Sequence, residues 1–132
     1  MATPQPKRLR SGFTLIELLV VVVVIGILAS IAMAKFRSTK GKAYYASVKT
    51  DLQNLVTAQE SFFYDRRQYT TRLDSLNVRG SPGVIISVTQ ANATGWSATA
   101  YHPSSFPRTC AVYFGDAPAL PPASSPGQVS CD

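Results

Sequence analysis

Glu17 is the residue whose type and position most need a chemical explanation, because it lies one turn inside a run of apolar residues. Inserting an isolated acidic group into hydrocarbon costs about 3 kcal/mol, so such a residue normally has a partner. A cut between Gly12 and Phe13 would create an α-amino group four residues before Glu17, about 6 Å away along a helix axis. That cation is able to pair with the carboxylate of its own chain or of a neighbour. The alternative is that Glu17 only extends to the membrane surface and favours the helix N-terminus.

Cys110 and Cys131 are the second pair of residues able to react with each other, and both lie near the C-terminus. An even number of cysteines in an exported segment indicates one disulfide. This bond would close a loop of about 22 residues and stabilise the fold by roughly 3 kcal/mol. Two unrelated buried thiols are the alternative.

The rest of the sequence lacks the patterns of catalytic and metal sites. His102 is the single histidine and stands beside Pro103, which is more typical of a turn residue than of a metal ligand or a base. Asp65, Asp74 and Asp116 are isolated from other candidate ligands. The sequence has no phosphate-binding glycine loop, nucleophile elbow or CxxC motif. We therefore expect a protein that is not an enzyme and that uses no cofactor, metal or small-molecule substrate.

A long apolar segment contains Glu17 and must position it. Leu18–Ala34 carries no charge, and the 22 residues of Phe13–Ala34 are enough to cross about 30 Å of hydrocarbon as a helix. A basic leader precedes the run, as in a secretory signal peptide. However, the run is too long for a signal core, lacks a clear small-x-small cleavage site and contains an acid. The segment is therefore predicted to be a membrane anchor, and the expected disulfide places the N-terminus in the cytoplasm.

The net charge of +6 is divided between the leader and the region after the apolar run. Removing the three leader cations, Lys7, Arg8 and Arg10, would leave +3. The remaining excess follows the run, at Lys35, Arg37, Lys40, Lys42 and Lys49. DNA is one partner that such a cluster is able to bind. Because no aromatic-basic motif accompanies it, a solvated or filament-lining helix face is favoured.

Beyond Phe36 the apolar residues recur at three- and four-residue spacing as far as Tyr64, which indicates an amphipathic helix. The stripe consists of Tyr45, Val48, Leu52, Leu55, Val56, Gln59, Phe62 and Phe63. Polar residues, Asp51 among them, are placed between the stripe positions. We expect the aromatic side chains to serve packing: Tyr44, Tyr45, Phe62, Phe63 and Tyr64.

The remaining chain indicates a small β domain. Val84–Thr89, Trp96–Tyr101 and Thr109–Phe114 are short runs rich in strand-forming residues. Turn residues Asn92–Gly95 join the first two runs, and Arg66–Gly83 connects the helix to the sheet. The pattern predicts an antiparallel meander of three or four strands with one face on the helix. The expected fold class is therefore α+β, a long N-terminal helix packed on a small antiparallel sheet.

Two surface features of this domain have open roles. The proline-rich segment 117–126 is expected to be extended and poor at strand pairing. It is either an exposed adhesion surface or a plain stapled loop, and the loop is favoured. Asn92-Ala93-Thr94 matches the acceptor motif for N-linked glycosylation, although three-residue matches are common by chance.

The run Gly12-Phe13-Thr14-Leu15-Ile16-Glu17 and the apolar residues after it resemble the prepilin processing signature of type IV pilins and type II secretion pseudopilins. The resemblance continues to Lys35-Phe36. It implies that a prepilin peptidase cuts after Gly12, that Phe13 is N-methylated, and that Glu17 acts in assembly through the N-terminus of an adjacent subunit. The short basic leader resembles the type IVa branch. The resemblance also implies the pilin fold, with a C-terminal loop closed by Cys110 and Cys131.

The sequence departs from the family pattern at Ala34, where many pilins carry proline. Pilin helices in filaments are often locally extended between the positions of Gly26 and that proline. Ala34 keeps its backbone donor, which argues against an extended segment here. Gly26, Ser30 and Ala34 also form a ridge of small residues at four-residue spacing, suited to close helix contact in lipid. Packing is therefore the favoured role of Gly26.

Taken together, the pattern predicts a cleaved leader (1–12), a transmembrane half-helix (13–36), an amphipathic half-helix (37–64) and a β head (65–132). The resemblance implies the major subunit of a type IV pilus, serving adhesion, twitching motility or DNA uptake. Its expected partners are copies of itself, the inner membrane, the pilus assembly machinery and prepilin peptidase. It would lie in the inner membrane before assembly and in the extracellular pilus afterwards.

Two other functions are compatible with the sequence. A pseudopilin of a type II secretion system shares the N-terminal motif, and the disulfide-closed loop favours the pilin over it. A signal-anchored periplasmic binding domain is the third hypothesis, and it predicts no cleavage at Gly12.

Overall fold

The computed structural model describes residues 12–105 and 108–132. The predicted leader, including Lys7, Arg8 and Arg10, lies outside the described residues except for Gly12. The chain divides into two compact units, with the boundary between Arg37 and Ser38.

Helix α1 runs over Leu15–Arg66 and passes through this boundary. In the first unit, every described side chain from residue 12 to residue 37 is exposed. The helix is long and apolar enough to cross a membrane by its length and composition. Its backbone stays helical through Gly26 and Ala34, as expected for a chain in which Ala34 keeps its backbone N–H.

The second unit contains the rest of α1 and a four-stranded sheet, and it confirms the predicted α+β fold class. The strands are β1 (Ile85–Ala91), β2 (Gly95–Tyr101), β3 (Thr109–Gly115) and β4 (Ser130–Cys131). They pair antiparallel in the order β1-β2-β3-β4. Short 3-10 turns cover Leu73–Leu76 and Pro103–Ser105.

One face of this sheet packs on the apolar stripe of α1. Val48, Leu52 and Leu55 from the helix are buried together with side chains from β2, β3 and the connector. Those partners are Tyr69, Leu76, Trp96, Ala98, Ala100, Cys110 and Val112. Most of the predicted aromatic packing is present, but the expectation is wrong for Tyr64, which is 78% exposed.

Two polar side chains of α1 attach the connector between helix and sheet. Gln59 is fully buried, and its amide binds Thr70 twice, donating to the carbonyl oxygen at 2.6 Å and accepting from the backbone N–H at 3.2 Å. The Asp51 carboxylate accepts from the Ser81 backbone N–H at 2.6 Å and from its hydroxyl at 2.9 Å. The prediction that Asp51 lies between the stripe positions is wrong. It is buried because it lies three residues after Val48, on the stripe itself.

The C-terminal loop packs against β3. Ala111 of β3 is fully buried although it does not belong to the helix-facing core, and Ala117 and Ala123 of the loop are buried too. Two hydrogen bonds hold the loop to Tyr113, whose hydroxyl donates to the Ser124 carbonyl oxygen at 3.3 Å and whose carbonyl oxygen accepts from the Gly127 N–H at 2.7 Å. The loop is therefore a packed cover over β3, closed by the disulfide between Cys110 and Cys131.

Candidate processing and assembly site

The start of α1 is closed by a reciprocal pair of side-chain caps. Thr14 precedes the first helical residue, Leu15, and its hydroxyl oxygen accepts from the Glu17 backbone N–H at 3.3 Å. In return, Glu17 Oε2 accepts from the Thr14 backbone N–H at 2.9 Å and from the Thr14 hydroxyl at 2.7 Å. This arrangement is a capping box, which satisfies helix N–H groups that have no partner within the helix.

Glu17 therefore has a partner within its own chain. Of the two roles that the sequence left open, the structure shows the carboxylate at the helix N-terminus, where the helix dipole favours negative charge. Its second oxygen, Oε1, accepts no hydrogen bond from the residues that the structure describes. Pairing with an α-amino group of a neighbouring copy remains a prediction, and this second oxygen is the atom available for it.

Gly12 and Phe13 lie before the helix and are exposed. Among the described residues, no atom other than those of Gly12 and its chain neighbours lies within 4 Å of the position that a Cβ on Gly12 would occupy, and Phe13 is 75% exposed. The bond between these residues therefore lies in non-helical chain, and both residues that it joins are exposed.

The small-residue ridge of the apolar helix is open for contact. Among the described residues, a Cβ on Gly26 would meet nothing within 4 Å beyond the adjacent backbone of its own helix. The Ser30 hydroxyl donates to the Ile27 carbonyl oxygen at 2.7 Å, so its polar group is satisfied inside the helix. A surface of this kind lets a second helix approach closely in lipid without leaving a polar group unpaired.

The five predicted cations after the apolar run all lie on exposed positions of α1, at Lys35, Arg37, Lys40, Lys42 and Lys49. His102 is buried before the second 3-10 turn, with Nδ1 accepting from the Ser104 N–H at 3.0 Å. Its ring stacks on Tyr44 with 4.0 Å between ring centroids. Within the described ranges, no three His, Cys, Asp or Glu side chains form a group able to hold a metal.

Thr14 is a member of the candidate site that the sequence analysis did not single out. Its signal was present, because a threonine three residues before a glutamate at the start of an apolar run is the pattern of a capping box. The structure adds Thr14 to Gly12, Phe13 and Glu17 as a fourth member of the site.

Known proteins are similar to this chain both at the N-terminal site and over a longer part of the sequence. The family described as a prokaryotic N-terminal methylation motif matches residues 7–33. The type IV wide pilus major component PilA4 of Thermus thermophilus is 34% identical over 95 residues, which cover 69% of this chain and 72% of that protein. This chain belongs to the type IV pilin and type II secretion pseudopilin family.

Two further relatives represent the two branches of this pilin family. The type IV major pilin protein PilA of Myxococcus xanthus is 48% identical over 59 residues, 45% of this chain and 27% of that protein. The type II secretion system core protein G of Aeromonas hydrophila is 37% identical over 71 residues, 54% of this chain and 50% of that protein. The chain thus spans between a quarter and a half of these two relatives.

Proposed function

We propose that this chain is the precursor of the major subunit of a type IV pilus. The observation that carries the proposal is the exposed apolar helix that begins with a capped glutamate one turn after an accessible glycine–phenylalanine bond. Two relatives with pilus names support it, the major pilin of Myxococcus and the wide-pilus component of Thermus. The proposed segments are the leader 1–12, the span 13–36, the amphipathic half-helix 37–64 and the head 65–132.

Maturation begins at the N-terminus in this proposal. A prepilin peptidase hydrolyses the bond between Gly12 and Phe13, and the new amino group of Phe13 is methylated. Before assembly the chain crosses the inner membrane once, with its N-terminus in the cytoplasm and its head outside. The disulfide supports this orientation, because such bonds persist in oxidising compartments.

Assembly transfers the exposed apolar helix from lipid to contact with copies of itself. Lipid already covers apolar side chains, so this transfer gains little from the hydrophobic effect. Close packing at Gly26 and Ser30 and pairing of charges must therefore supply most of the preference for the filament. We assign the charge pairing to Glu17 and the Phe13 amine of the adjacent subunit. The pairing also sets the axial register between copies, since it joins positions one helical turn apart.

The chain acts as a structural protein in this account, and its partners are its own copies, the assembly machinery and the peptidase. Adhesion, twitching motility and DNA uptake are the activities of the filament that follow from it.

A pseudopilin of a type II secretion system is the second candidate. The observation that favours it is the similarity to core protein G of Aeromonas, which extends over 54% of this chain and therefore beyond the N-terminal motif.

Deletion of this chain in its native host separates the two candidates. We expect the deletion to remove surface fibres, seen by electron microscopy, and to leave secretion of proteins across the outer membrane unchanged. Loss of secretion with normal fibres would instead assign the chain to the secretion system. Re-expression of the full chain controls for effects on neighbouring genes.

A further inference from the structure

Within the described residues, the asparagine at the tip of the β1–β2 hairpin forms hydrogen bonds through one of its two side-chain polar atoms. Asn92 Oδ1 accepts from the Thr94 backbone N–H at 2.8 Å, the Thr94 hydroxyl at 3.1 Å and the Gly95 N–H at 2.7 Å. Its amide nitrogen, Nδ2, donates to no group in the part of the chain that the structure describes. The side chain thus closes the turn through its oxygen, and its NH₂ group has no partner among the described residues.

The backbone holds this asparagine in a fixed and accessible place. The Asn92 N–H donates to the Gly95 carbonyl oxygen at 2.9 Å, and the Asn92 carbonyl oxygen accepts from the Tyr69 N–H at 3.0 Å. Asn92, Ala93 and Thr94 are all exposed. The turn therefore presents an ordered side-chain amide, that of Asn92, to solvent.

We propose that Asn92 is a site of N-linked glycosylation. Asn92-Ala93-Thr94 is a complete acceptor motif, which is met on surface loops of exported proteins. The inference requires only that the head be exported, and it goes beyond the proposed role in the filament.

The donor is a sugar joined through its anomeric carbon to a lipid pyrophosphate. Asn92 Nδ2 attacks the anomeric carbon and forms the N-glycosidic bond. The bond from that carbon to the phosphate oxygen breaks, and the lipid pyrophosphate leaves with the electron pair. The transferase removes one proton from Nδ2, and no oxidant or reductant is needed.

The hydrogen bonds of the turn are compatible with this modification. The new bond forms at Nδ2, whereas all three hydrogen bonds of the side chain end on Oδ1. A glycan is therefore able to join the folded hairpin without removing its cap. The Thr94 hydroxyl donates to Oδ1, so the hydroxyl that the motif requires already lies against the acceptor amide.

Three variants of the full chain in its native host separate the motif from the fold. Asn92→Asp keeps an acceptor oxygen for the turn and removes the NH₂ group. Thr94→Val removes the motif hydroxyl at an exposed position, and Thr94→Ser restores it in a different side chain. Trypsin releases residues 80–108 as one peptide, because no Lys or Arg lies between Arg79 and Arg108. Mass spectrometry of this peptide reads the modification directly.

We expect the peptide from the wild type and from Thr94→Ser to carry a mass increase of one or more sugar residues. The increase should disappear in Asn92→Asp and in Thr94→Val. An unmodified wild-type peptide would overturn the inference. So would a mass increase that persists in Asn92→Asp, since it would place the sugar on a hydroxyl. Either result leaves the proposed role in the filament untouched, because that role does not depend on Asn92.

Discussion

Two single substitutions separate the charge of Glu17 from its role in the capping box. Glu17→Gln removes the charge but keeps a carbonyl oxygen at the third helical position, where glutamine also completes a capping box. Thr14→Val removes both the hydroxyl acceptor and the hydroxyl donor of the cap and leaves the carboxylate charged. If Glu17 serves assembly by pairing with a neighbouring amine, the glutamine variant must be the more defective of the two.

The two expected effects differ enough in size to be distinguished. Loss of an N-cap costs about 1 kcal/mol, or about fivefold in an equilibrium. Loss of the carboxylate charge leaves the ammonium of the adjacent subunit unpaired in an apolar environment. That costs about 3 kcal/mol, or about 100-fold. We therefore expect Glu17→Gln to reduce filament yield about 100-fold and Thr14→Val to reduce it about fivefold or less.

The assay is the amount of sheared surface fibre divided by the amount of processed chain in the membrane. Both variants lie near the cleavage site, so the N-terminus of each membrane-bound chain is sequenced to confirm that it begins at Phe13. Normal fibre yield from Glu17→Gln would refute the pairing of charges. A defect in Thr14→Val as severe as that of Glu17→Gln would show that the cap, rather than the charge, explains the need for the glutamate.

Three predictions concern the stability of the head. Each is measured by unfolding the processed chain in detergent and following the fluorescence of Trp96, the single tryptophan, which is fully buried. Asp51→Ala should lower the free energy of unfolding by about 2 kcal/mol, because Ser81 loses charge-assisted hydrogen bonds. The control Asn54→Ala, at an exposed position, should change the free energy of unfolding by less than about 0.5 kcal/mol. Equal effects of the two substitutions would contradict this role of Asp51. Reduction of the disulfide should cost roughly 3 kcal/mol, and an unchanged stability under reductant would contradict this. Burial and the negative charge of Glu60 raise the pKa of Tyr69 to about 12 from an ordinary value of 10.0. The folded head therefore holds that proton more tightly than the unfolded chain, and the resulting stability, complete below pH 10, is lost as the pH rises toward 12. Tyr69→Phe should remove this part of the pH dependence, and an unaltered alkaline profile would exclude Tyr69 as its source.

The main elements of the fold could be predicted from the sequence because their signals are local. The uncharged run and the three- and four-residue spacing placed the helix within two residues of its observed ends, at Leu15 and Arg66. Runs of strand-forming residues and the turn residues between them located β2 and β3. The strand β4 has only two residues, Ser130 and Cys131, which is too short for a pattern. It pairs with β3 at Cys110 and Cys131, the two residues that the disulfide joins.

The polar contacts of the head could not be predicted from the sequence, because the two residues of each contact are distant in sequence. Ser81 lies 30 residues after Asp51, and Thr70 lies 11 residues after Gln59. Periodicity identifies a residue as facing the core but does not identify which backbone group will meet it there. The N-terminal site is the opposite case, since Thr14 and Glu17 are three residues apart and their spacing alone defines the capping box.

Mass spectrometry of sheared surface fibres from the native host tests whether this chain is the major pilin. We expect this chain to be the dominant component, to begin at N-methylated Phe13, and to have Cys110 and Cys131 oxidised. Absence of the processed chain from the fibres, with the whole pool retained in the membrane, would contradict its assignment as the major pilin.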